Sequence, residues 1–61
     1  MEFTKLVKAL LVEERGHTPE NAERLVASYP SVITNGMMRG FGSYRATAIA
    51  LEMKDEETDD E

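Results

Sequence analysis

The stretch Ser43 to Lys54, SYRATAIALEMK, constrains the fold more than any other. Wound as an α-helix at about 100° per residue, it sets Tyr44, Ala48 and Leu51 on one side and Ala46, Ile49, Ala50 and Met53 on nearly the opposite side. Arg45 with Glu52, and Thr47 with Lys54, form narrow polar seams between them. A surface helix needs one apolar stripe, so a helix with two must be covered twice. Either the other helices enclose it, with the Ile49 side on the first helix and the Leu51 side on the second and third, or one side is left for another molecule.

The cover must come from a short chain. With 61 residues the protein reads as one domain, burying only about 60% of its extended surface. Stability of a few kcal/mol is expected. There is no cysteine, so neither disulfides nor thiolate zinc sites can reinforce it. Helix packing and oligomerisation remain. The hydrophobic fraction of 41% is ordinary for a folded chain.

The formal charge of −5 is concentrated at the C-terminal end, where DEETDDE (55–61) holds six acids and no base. The remainder carries 7 basic against 6 acidic residues, a net of +1. No run approaches the ~20 apolar residues of a membrane span. The opening apolar stretch is broken by Lys5 and Lys8 and followed by Glu13, Glu14 and Arg15, unlike a secretory leader. We expect a cytoplasmic protein with no membrane association.

Phe3, Leu6, Val7, Leu10 and Leu11 share one helical face, which predicts a helix from about Glu2 to Arg15 stopped by Gly16 in a left-handed turn. Val12 falls on the opposite face, as an isolated exposed valine or a small contact spot. Thr18-Pro19-Glu20 opens a second helix with a hydroxyl cap, proline at N1 and an acid in the first turn. Ala22, Leu25, Val26 and Tyr29 line its inner face, and Pro30 ends it near Tyr29. Pro30-Ser31 opens a third helix, expected to last about two turns and stop at Asn35-Gly36. A longer version to Met38 would put Gly36 and Gly40 on one side and let another helix approach. Gly40-Phe41-Gly42 forms a corner, and Ser43 caps the last helix. No stretch alternates with period two. The expected fold is an all-α bundle of three or four short helices over residues 1–54, followed by a disordered acidic tail over 55–61.

Each candidate for chemistry has an ordinary structural alternative. His17 has no ligand or nucleophile partner at a recognisable spacing and is expected to lean on the helix it introduces. Gly36, Gly40 and Gly42 match no phosphate-binding spacing and read as turn and packing glycines. Glu13, Glu14, Glu20 and Glu23 sit around helix ends, where acids are commonplace. No catalytic residue, metal site or cofactor is expected, and a chain this small rarely encloses a ligand cavity. The tail can solubilise, mimic a phosphate backbone or shield Arg39 and Arg45.

Arg39, Phe41, Tyr44 and Arg45 interleave two guanidinium groups with two rings around the glycine corner. They could contact nucleic acid, contact a protein, or serve as core plugs with solvated arginines. A helix-turn-helix drawn from the second and third helices would offer SVITNGMM for recognition, with no basic residue before Arg39. Gly40-Phe41 ahead of a helix carrying Ala46 and Ala50-Leu51 resembles the loop and second helix of ubiquitin-associated domains, although the third helix of that fold has no counterpart after Lys54. No binding residues are carried over. The expected role is a small non-enzymatic interaction module that inhibits or regulates a larger protein or nucleoprotein complex. Its surface would be Ala46, Ile49, Ala50 and Met53 with Arg39, Phe41, Tyr44 and Arg45, facing a protein partner or a second copy. A nucleic-acid-binding helical domain is the alternative.

Overall fold

The computed structural model describes residues 2–58. Four α-helices, α1 (Phe3–Glu13), α2 (Pro19–Ser28), α3 (Pro30–Arg39) and α4 (Tyr44–Thr58), are joined by short connections, with one 3₁₀ turn at Phe41–Ser43. Among the described residues there is no strand. The expected all-α class and helix number are therefore shown.

The first two helices follow from their sequences. Phe3, Val7, Leu10 and Leu11 are buried along the predicted stripe of α1. Gly16 adopts a φ of +81°, and the His17 N–H returns to the Leu11 carbonyl at 3.0 Å. The Thr18 hydroxyl accepts from the Asn21 N–H at 3.1 Å, capping α2 ahead of Pro19. Ala22 and Leu25 are buried by α2, with Val26 and Tyr29 packed at the margin of the core.

α3 is longer than the two turns expected. It passes through Asn35-Gly36 and ends at Arg39, where Gly40 turns out with a φ of +109°. The reason is packing. Gly36 is buried in the interior of α3, and a Cβ there would collide with Thr47 Oγ1 and reach 2.9 Å from Phe3 Cζ. Glycine costs an exposed helix interior about 1 kcal/mol relative to alanine, which close contact with α4 offsets here. The alternative in which Gly36 admits another helix is the one realised.

α4 touches each of the other three helices. Ala48 and Leu51 are fully buried in the core with Phe3, Val7, Leu10, Leu11, Ala22, Leu25 and Ile33. Thr47, expected in a polar seam, is also fully buried. Its hydroxyl donates to the Ser43 carbonyl one turn back at 3.0 Å, so the burial leaves no orphaned polar atom. Ser43 does not cap as expected: its hydroxyl lies 2.7 Å from the carbonyls of both Gly36 and Gly40 and donates its single proton to one or the other, locking the corner.

The C-terminal boundary also differs. α4 continues beyond Lys54 to Thr58, so Asp55, Glu56 and Glu57 are helical instead of opening a disordered tail. Asp55 is held by Arg24 and Tyr29, which offsets the unfavourable placement of acids at a helix C-terminus. Residues 59–61 of the expected tail lie outside the described residues.

Candidate functional site

The rotation of α4 decides which of its two apolar sides is covered. Gly36 receives Thr47, and Ala48 and Leu51 enter the core shared by α1, α2 and α3, so the inward direction lies between these positions. Ala46, Ile49 and Met53 then point outward, with Ile49 42% and Met53 59% exposed. Ala50 is half-buried at the edge of this side. The expectation that the Ile49 side packs on the first helix is not met: Ile49 and Met53 are exposed, and the opposite side enters the core. The alternative, with one apolar side left open, is what the fold presents.

The four residues expected around the glycine corner are divided. Phe41 packs edge-on against Phe3 at the start of α1, with ring centroids 5.7 Å apart, and remains half exposed. Glu2, Phe3, Thr4, Lys5, Met37 and Phe41 line a solvent-open hollow. Tyr44 packs half-buried against the core. The Arg45 guanidinium lies 5.8 Å from its ring centroid and forms a 2.8 Å ion pair with Glu14, at the far end of α1. Phe3 and Glu14 are separated by the length of α1, on the order of 16 Å at 1.5 Å per residue, so Phe41 and Arg45 serve different surfaces. Arg39 is exposed at the end of α3, beside the exposed Met37 and Met38 in sequence.

A polar network absent from the sequence reading ties the end of α4 to the α1–α2 corner. Arg15 donates through Nε and Nη2 to Glu52, the shortest contact being 2.9 Å. His17 Nε2 lies 2.6 Å from the other Glu52 oxygen, and His17 Nδ1 lies 2.8 Å from Asn21 Nδ2. Arg24 Nε donates to Asn21 Oδ1 at 2.9 Å and grips Asp55 through Nη1 and Nη2 at 3.1 and 3.2 Å. Tyr29 donates to Asp55 at 3.1 Å. The Arg15 hydrogen bond, helped by His17, holds the Glu52 carboxyl below its usual range against the opposing effect of burial. Arg24, helped by Tyr29, does the same for Asp55. His17 keeps the expected structural role, with the added function of bridging two helices. The available sequence signal was the spacing: His17 and Asn21 four apart, Asn21 and Arg24 three apart, Glu52 and Asp55 three apart on the facing helix.

Among the described residues, no group of three or more His, Cys, Asp or Glu side chains is placed to hold a metal ion. No described helix is long and apolar enough to cross a membrane. Compared with known protein families, curated proteins and solved structures, the chain matches none.

Proposed function

We propose that this chain is a small non-enzymatic interaction module whose working surface is the outward side of α4: Ala46, Ile49, Ala50 and Met53, edged by Arg45. The observation that carries this reading is the exposure of Ile49 and Met53 in a molecule that buries Ala48 and Leu51 completely on the same helix. Scattered exposed apolar residues are normal on any surface, but a row along one helix face is the form in which helices dock. Burying a side chain of this size yields roughly 1.5–3 kcal/mol, a large increment beside the stability of so small a fold. Inhibition or regulation of a larger protein or nucleoprotein complex is the concrete form we assign to this module.

Nucleic acid is the less favoured partner. Arg15, Arg24 and Arg45 are each engaged by a carboxylate, of Glu52, Asp55 and Glu14 respectively. Phosphate binding would have to compete with these pairs. The two classes differ in salt response, because counterion release weakens phosphate binding steeply with added salt while apolar docking changes little. Affinity capture from the native host with and without nuclease, using wild type and Ile49→Glu, tests the proposal. A partner retained after nuclease and lost with Ile49→Glu supports it; recovery abolished by nuclease and indifferent to Ile49→Glu overturns it.

A further inference from the structure

The open face of α4 is patterned to receive itself. Its two small residues, Ala46 and Ala50, are one turn apart, and so are its two large ones, Ile49 and Met53. If a second α4 is laid antiparallel across this face, with the two-fold axis between Ile49 and Ala50, then Ala46 lies opposite the partner copy's Met53 at each end, while the two Ile49 side chains meet along one edge of the axis and the two Ala50 along the other. At each end a large side chain meets a small one, as interdigitated helix packing requires. A parallel pair would instead set Met53 against Met53 and Ala46 against Ala46, crowding one level and leaving a gap at the next.

Charge selects the same orientation. On the 100° wheel Arg45 and Glu56 flank the same edge of this face, at its two ends, and both are exposed. Antiparallel docking places Arg45 near Glu56 of the other copy, twice by symmetry. The Glu14 contact engages Nη1 of Arg45, while a guanidinium carries five N–H donors in all, so one arginine can serve both carboxylates. Parallel docking would set Glu56 of each copy against Glu57 of the other, an arrangement like charges oppose.

We infer that the occupant of this face is a second copy of the chain, docked as an antiparallel α4 pair. This rests on the proposed working surface and names what covers it. One helix face is a small interface, so the pair is weak and concentration-dependent. As a dimer, the module presents two copies of the other large hydrophobic side chains exposed among the described residues, Met37, Met38 and Phe41.

Two measurements on the full chain test this. In sedimentation equilibrium the wild type should move from the chain mass of 6.8 kDa towards twice that value as concentration rises, while Ile49→Glu stays at 6.8 kDa. Because the chain has no cysteine, single-cysteine variants can report the orientation. A mixture of Ala46→Cys and Met53→Cys should oxidise to covalent dimer several-fold more than either variant alone, since a disulfide forms only between closely placed Cα atoms. Wild type that stays at single-chain mass at the highest concentration overturns self-docking, and preferential trapping of Ala46→Cys with itself overturns the antiparallel orientation. A monomeric chain that still loses a heterologous partner with Ile49→Glu overturns only the second copy as occupant. A monomeric chain with no such loss overturns the working surface as well.

Discussion

Gly36 is the residue at which one added carbon has the clearest consequence. It lies where α3 crosses α4, against Thr47 and the Phe3 ring, so Gly36→Ala trades about 1 kcal/mol of helix propensity for a collision in a closed core. The collision wins. We expect a net destabilisation of roughly 1–3 kcal/mol in urea unfolding, whereas an unchanged or raised midpoint would mean that the helices do not approach here. His17 offers a second test. Arg24 Nε can only donate, so Asn21 must accept through Oδ1 and donate through Nδ2; His17 Nδ1 then accepts, and Nε2 carries the proton that faces Glu52. Long-range ¹H–¹⁵N spectra at neutral pH should show the Nε2–H tautomer, and an Nδ1–H signal would break this chain of donors. The sequence offered the spacing of these polar groups but not their pairing, because periodicity locates faces but does not say which polar edge of one helix meets which edge of another. Gly36 was legible only as a choice between stopping α3 and admitting a neighbour, a choice made by the shape of Thr47 and Phe3.

α4 joins the molecule on one side and leaves it on the other. Its inward residues, Ala48 and Leu51, are core members, and Leu51→Ala should cost about 2–5 kcal/mol through lost burial and the cavity left behind. Ile49→Ala, on the outward face, should change monomer stability by less than about 0.5 kcal/mol. The contrast between the two sides of one turn is measured by denaturant unfolding at low concentration; comparable losses at both positions would mean that both sides are enclosed. Here the sequence was informative: the two stripes, the helix starts at Thr18-Pro19 and Pro30, and the Gly16 stop are all local signals that the fold obeys. The end of α4 was not legible. Acids at a helix C-terminus predict fraying, and the partners that hold Asp55 are Arg24 and Tyr29, distant in sequence and brought close only by the packing of α2 on α4.

For the whole molecule, the Arg15–Glu52–His17 and Arg24–Asp55–Tyr29 contacts clamp the last turns of α4 to the α1–α2 corner. Both acids have their pKa lowered on folding, so their contribution is present above the unfolded carboxylate range and is lost as pH falls from about 4.5 through the folded values. Thermal stability should therefore decline below that point, and Glu52→Gln should flatten the decline; an identical acid limb in the variant would show that the clamp does not stabilise the fold. The central claim, that α4 encloses one apolar flank and offers the other, is tested most directly by exposing methyl-labelled protein to a soluble paramagnetic probe at low concentration. Relaxation should be strong at the methyls of Ile49 and Met53 and weak at those of Leu51 and Val7, with Ile49 and Met53 becoming protected as concentration rises. Protection of Ile49 and Met53 equal to that of Leu51 at every concentration would contradict the account.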